Sequence, residues 1–202
     1  LWLRSAKDIE AKEYNEFYKH LTSDWTDPLE TIHYRAEGTQ EFSSLLYIPS
    51  SVPFDYNQRD MKYGLNLYVK RVFITDSCEE LLPQYLRFVK GLVDSNDLPL
   101  NVSRELIQKD RQINLIRKAV VSKLLRQLKT MKDKQYETYL KFWDKFGSTL
   151  KEGVASDHDN KDAIINLLLF KSTASDKFTT LADYVSRMPA AQKEIYYITG
   201  DS

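Results

Sequence analysis

The sequence predicts an α/β fold built as two units, each a mixed sheet flanked by helices, joined by a helical connector, with the second unit truncated. Three observations predict it. β-like stretches crowd the first 95 residues, helical periods dominate from residue 105 to about 170, and the tail returns to a helix followed by a strand-like segment. We place the large unit at 1–131, the connector at 132–157 and the start of the smaller unit at 158–202.

From Asp8 to Leu21, Ile9, Tyr14, Phe17, Tyr18 and Leu21 recur mostly at helical spacing with Glu and Lys between them, which predicts a surface helix with one buried face. Beyond "DWTDPLE" come three β-like stretches, "TIHYRAEG", "EFSSLLYIP" and "LNLYVKRVFITD". A turn containing Gly38 joins the first two as a hairpin. The proline-bearing "PSSVPFDYNQRDMKYG" between the second and third reads as a long surface loop.

In "CEELLPQYLRFVKGLVDS" the periods are mixed, and we read a short helix to Leu82 and then a strand to about Val93. Beyond Arg104, Ile113, Ile116, Val120, Leu124, Leu128 and Met131 step by three or four residues, predicting a long helix. "YETYLKFWDKFGSTL" predicts a second helix that stops near Gly147, with a polar turn, "KEGVASDHDNKD", after it. The tail reads as helix ("AIINLLLF"), an irregular Ser/Thr-rich link, a helix ("LADYVSRM") with Thr180 placed to cap it, and a strand ("EIYYIT").

The 202 residues, 42% hydrophobic and 12% aromatic, can fill a core. Lys plus Arg balance Asp plus Glu at 29 each, so the overall charge gives no grip on nucleic acid or an anionic membrane. The longest apolar runs, such as "IINLLLF", fall far short of the roughly 20 residues that span a bilayer, so a soluble protein is expected. A single cysteine, Cys78, excludes an internal disulfide, and with no signal-peptide pattern at the start a cytoplasmic location is expected. The chain opens at "LWLRS" without methionine and reads as a segment of a longer protein.

Phosphate-loop and dinucleotide fingerprints are missing from the glycine pattern. His20, His33 and His158 lie far apart, and "DHD" at 157–159 reads as a solvated loop, so no metal site is expected. Cys78 with a histidine would make an independent hydrolase, the weakest of the readings. "NVS" at 101–103 matches a glycosylation acceptor by chance alone in a cytoplasmic protein. Nine Lys and Arg residues fall between Lys109 and Lys134, and we read them as the solvated face of an amphipathic helix.

Arg104 stands apart. Pro99 restricts the approach to it, Asn101 and Ser103 are turn and cap formers, and Gln108 lies one helical turn on. An arginine held in this way offers a planar, permanently charged fork suited to phosphate. The competing reading of the same residues is a structural ion pair with Glu105 or Asp97.

"LPLNVSRE", together with "LYVKRVFITD", "FVKGLVDSNDLPLN", "EFYKHLTSDW" and "IYYITGDS", resembles the middle domain of the heat shock protein 90 family of molecular chaperones, in particular its bacterial type. The resemblance runs along essentially the whole chain, and the block from Leu67 to Glu105 is its most specific part. It implies a dimeric, ATP-hydrolysing chaperone in which ATP and Mg are bound by a separate N-terminal domain and a C-terminal domain makes the dimer. It further implies that Arg104 reaches the γ-phosphate, accompanied by Gln108, with Asn101 and Ser103 as supporting loop positions. Such an arginine acts as a finger supplied in cis when the domains close.

The resemblance also implies contact with unfolded or partly folded client proteins, at positions matching Trp25 and Phe73, and with co-chaperones. Trp25, beside "DPLE", is expected to be exposed, whereas Phe73 inside "RVFIT" reads equally as core packing. The second α/β unit of the family continues beyond "IYYIT". The alternative to a catalytic contribution is a docking module for clients or co-chaperones in which Arg104 is structural.

Overall fold

A computed structural model describes residues 1–38, 40–53, 56, 61–100, 107 and 110–200. Helix α1 (Ala11–Thr22) follows a 3-10 turn at Ala6–Asp8, and the Glu13 carboxylate accepts the Glu10 backbone N–H at 3.1 Å to close its first turn. Ser23, with φ of 57°, ends it in the left-handed region.

Strands β1 (Glu30–Ala36) and β2 (Phe42–Ile48) form the expected antiparallel hairpin, in register from Glu30 opposite Ile48 to Ala36 opposite Phe42. β3 (Leu65–Val69) and β4 (Val72–Cys78) form a second hairpin where the sequence suggested one continuous stretch. Lys70 and Arg71 make its turn with φ of 49° and 71°. A two-residue hairpin loop with both residues at positive φ normally calls for Asn and Gly. Here the neighbouring strand β5 (Lys90–Ser95) holds the turn instead: the Lys70 N–H donates to the Ser95 carbonyl at 2.9 Å, and the Arg71 N–H to Asp94 Oδ1 at 3.1 Å.

The sheet runs β1-β2-β5-β3-β4, antiparallel throughout except for the parallel pair β3 and β5. β5 lies at its centre and is buried along almost its whole length. The expected helix up to Leu82 is a single 3-10 turn, Glu79–Leu81, and the strand expected after it begins only at Lys90 and runs to Ser95, with a second 3-10 turn, Gln84–Leu86, following Pro83. Pro83 carries no N–H to extend a helix, and so the segment breaks in two.

Both faces of the sheet are covered. On one, Ile32, Phe42, Leu46, Leu67 and Val93 join a single core with α2 (Arg111–Lys134) and α3 (Tyr136–Ser156). On the other, Leu45, Tyr47 and Leu92 meet Tyr18 of α1 and the partly buried Trp2, Tyr14, Phe17 and Tyr68. Alternation along β2 sends successive residues to opposite faces, and since both are covered every position is buried.

α3 does not stop at Gly147 but runs on to Ser156. Gly147 and Gly153 are buried points of close contact: a Cβ on the first would meet the Trp143 ring at 2.7 Å, and on the second the Tyr85 ring at 2.8 Å. These glycines are chosen for packing, not for termination. The helix expected over "AIINLLLF" is short, Lys161–Ile165 (α4), because the chain turns into β6 (Phe170–Ser172), and the Ser/Thr-rich link holds the second strand of a hairpin, β7 (Ser175–Thr179).

α5 (Leu181–Arg187) is capped by Thr180 as expected, its hydroxyl accepting the Asp183 N–H at 3.0 Å. "EIYYIT" forms no strand, and Tyr197 is 86% exposed. A strand needs a neighbour for its backbone groups, and among the described residues none pairs with it.

Candidate functional site

Arg104, Gln108, Asn101 and Ser103 lie outside the described residues, but the chain on either side of them is fixed. After β5 the Ser95 hydroxyl accepts the N–H groups of Asp97 and Leu98, both at 3.3 Å, turning the backbone away from the sheet. The Asn96 N–H donates to the Glu41 carbonyl at 3.0 Å, and Asp97 Oδ2 accepts the Glu41 N–H at 2.7 Å. The Asp97 carboxylate, one candidate ion-pair partner for Arg104, is thus engaged by backbone.

Leu98 and Ile107 are both buried in the main core. Asp110 then caps α2, its Oδ1 accepting the N–H of Gln112 at 2.6 Å and of Ile113 at 3.3 Å. Leu98 and Ile107 are thus two core anchors on either side of Arg104 in the sequence, and Asp110 opens a capped, 24-residue helix.

Trp25 is 93% exposed, in the loop between α1 and β1. Phe73 is 51% exposed on β4, at the edge of the sheet, and makes a T-shaped contact with Tyr68 at 5.5 Å. Phe73 is not packed in the core: β4 lies outermost in the sheet, and its first two residues, which point to opposite faces, are both left half-exposed. Val72 beside it is half-exposed as well.

Cys78 is buried, and its thiol, 3.4 Å from the Glu80 carboxylate, is pushed up to about 12, by burial first and then by that negative charge. A thiol so protonated and hidden does not serve as a nucleophile, which removes the hydrolase reading. Among the described residues no group of three or more His, Cys, Asp or Glu is placed to hold a metal ion.

The basic helix is less free than its composition suggests. Lys132 donates to the Asn166 carbonyl at 2.6 Å, Lys129 pairs with Asp133 at 2.5 Å, and Lys123 lies over the Tyr34 ring at 5.7 Å. A cleft of about 560 Å³ opens between its first turns and the far end of α3, with Arg117 and Lys118 on one wall and Asp157 and His158 on the other. Burial pushes the Asp157 carboxyl up, but the hydrogen bonds from the Tyr85 hydroxyl and from Asn160 outweigh it and hold Asp157 below the usual carboxylate value.

Two carboxylates not singled out by the sequence organise the opposite face. Asp94, buried, accepts the Trp2 indole N–H at 2.9 Å and the Arg71 N–H at 3.1 Å. Asp24 gathers four donors around Trp25. An acidic residue in the strand pattern "LVDS" was the available signal for the first; a "D-x-T" turn was the signal for the second. His33 bridges the Tyr14 hydroxyl at 2.7 Å and the Trp2 carbonyl at 2.9 Å, a packing role rather than a catalytic one. No helix among the described residues is long and apolar enough to cross a membrane.

Comparison with known proteins adds the family. The family model described as Hsp90 protein matches residues 1–202. The chain is 60% identical to the chaperone protein HtpG of Bdellovibrio bacteriovorus and 56% identical to that of Geobacter sulfurreducens, in each case over its whole length, covering 32% and 31% of those proteins. It thus spans about a third of the length of the curated relatives it matches. Among solved structures, the middle domain of a Plasmodium falciparum heat shock protein superposes with a TM-score of 0.87 at 35% identity, covering all of this chain and 78% of that one. With the same mixed sheet and helices, and a match from the first residue to the last, the chain belongs to the Hsp90 family and corresponds to its middle domain.

Proposed function

We propose that this chain is the middle segment of an ATP-driven, dimeric protein-folding chaperone and that it lends Arg104 to the γ-phosphate of ATP held in a separate N-terminal domain. The observation that carries the reading is the fixed frame around the Arg104 segment, buried at Leu98 and Ile107 and capped at Asp110, in a chain that matches the family throughout. Anchored points on both sides suit a segment that must deliver a group to another domain's substrate. Arg104 would supply positive charge to the phosphoryl oxygens when the domains close, with Gln108 beside it and Asn101 and Ser103 shaping the loop. ATP and Mg would be bound by that N-terminal domain.

The chain alone is on this reading not an enzyme; it completes one. The large unit 1–131, connector 132–157 and beginning of a smaller unit 158–202 are the proposed division. Partners would be the protein's own N-terminal and C-terminal domains, client polypeptides and co-chaperones, in a cytoplasmic protein without nucleic-acid or membrane partners.

A second reading, a docking module in which Arg104 is structural, draws on the exposure of Trp25 and Phe73. The two differ in what the loss of Arg104 does. In the full-length protein Arg104→Ala should slow ATP turnover by about 30- to 1000-fold with ATP affinity preserved. The melting temperature should stay within a degree or two. Unchanged turnover would leave the docking reading; a lowered melting temperature with turnover intact would make the arginine structural.

A further inference from the structure

Trp25 is the most exposed large apolar side chain among the described residues, yet the loop carrying it is fastened on every side. Asp24 Oδ1 accepts the N–H and the hydroxyl of Thr26 at 3.0 and 2.8 Å; its Oδ2 accepts the hydroxyls of Tyr18 at 2.8 Å and Ser51 at 3.2 Å. The Asp24 N–H donates to Thr22 Oγ1 at 3.2 Å. On the far side of the indole, the Ser50 hydroxyl lies 2.5 Å from the Asp27 carbonyl, and Lys19 pairs with Asp27 at 2.8 Å.

The anchor beneath is as firm. Tyr18 is 1% exposed and packs on Tyr47 with ring centroids 5.2 Å apart, so the hydroxyl that meets Asp24 comes from a ring locked between α1 and the sheet. Four donors on one carboxylate, drawn from α1, from the loop itself and from the segment after β2, tie three pieces of chain at the residue next to the indole. This is far more order than a solvent loop needs.

We propose that Asp24 is a positioning residue for polypeptide capture, holding the 23–27 loop in one conformation so that the Trp25 indole meets an extended apolar segment of a non-native protein already ordered. The proposal rests on the client-contact reading of Trp25. An indole whose backbone is fixed in advance loses little freedom on binding, whereas a loose loop would have to be ordered at the partner's expense. A single indole standing out from the surface suits apolar side chains that have no fixed shape of their own and can close around it.

The test uses the full-length protein and a fluorescein-labelled, reduced and carboxymethylated α-lactalbumin, which cannot refold. Trp25→Ala and Asp24→Ala should each weaken binding by about three- to tenfold, and the double variant should be no weaker than Trp25→Ala alone. With 5-fluorotryptophan incorporated, the fluorine resonance of Trp25 should narrow in Asp24→Ala as the loop gains motion, and Asp24→Asn, which keeps an acceptor, should restore part of the binding. Wild-type binding by Asp24→Ala beside a weakened Trp25→Ala overturns the proposal while sparing the client contact, and so does additive weakening in the double variant. Wild-type binding by Trp25→Ala overturns the client contact itself. Should Asp24→Ala fail to fold, Tyr18→Phe and Ser51→Ala each remove one donor, and wild-type binding by both overturns the proposal equally.

Discussion

A single buried carboxylate ties the start of the chain to the sheet. Asp94 receives one donor from the Trp2 indole and one from the Arg71 backbone, and the Trp2 ring packs on Tyr68 at 5.1 Å and on Phe17 at 5.9 Å. Asp94→Ala leaves both donors without this acceptor in a covered site. The expected cost is about 2 to 3 kcal/mol, read as a lower urea midpoint at unchanged slope. Asp94→Asn should cost less, because its amide oxygen still accepts one bond; equal costs for the two would mean that charge, not acceptor number, sets the interaction. At this scale the sequence was legible where a residue's neighbours along the chain decide its surroundings, as for Trp25 beside "DPLE". It was illegible where the partner is remote: nothing near Asp94 in the sequence points to Trp2, 92 residues away.

The elements show the same division. The β1/β2 hairpin, the long helix behind Asp110 and the Thr180 cap follow from local pattern and were readable. The β3/β4 hairpin was not, because its left-handed Lys70 and Arg71 are held by β5 rather than by their own residue types. Gly147 misled for a related reason: a glycine after an apolar stripe signals a stop only when no neighbour presses on it. Gly153→Ala tests the packing view. Alanine would gain about 1 kcal/mol in helix propensity, but its Cβ would press on the Tyr85 ring, which its hydrogen bond to Asp157 at 2.7 Å keeps from retreating. Overpacking of this kind costs about 1 to 3 kcal/mol, so the melting temperature should fall. A rise would show that the ring gives way.

Over the whole molecule, the class of fold was legible because it depends on the order of strand-like and helical periods, which no single misread boundary alters. The final segment was not, since "EIYYIT" has strand composition but no strand to lie against among the described residues. Cys78, packed in the main core, offers a reporter for the integrity of the whole. A thiol reagent should label it no faster than the chain unfolds globally, and labelling ahead of unfolding, followed by circular dichroism, would reveal local opening at the end of β4. Its raised ionisation also sets a sign. Below an unfolded thiol value of about 8.5 the stability is fully present; above it the unfolded state loses its proton first, and stability falls by up to about 1.4 kcal/mol per pH unit towards the folded value. Cys78→Ala should flatten that fall between about pH 8.5 and 10, before the buried tyrosines contribute.

The place of β5 has a consequence for the order in which the molecule can be made. The strand at the centre of the sheet is the last of the five to leave a ribosome. Until Ser95 has emerged, the two hairpins are separate pieces, each with an inner edge unpaired, and the turn at Lys70 and Arg71 lacks the bonds that hold it. Synthesis from the N-terminus therefore cannot complete the sheet before β5 has emerged to join the two halves, and a chain stalled ahead of that point presents two open edges to its neighbours.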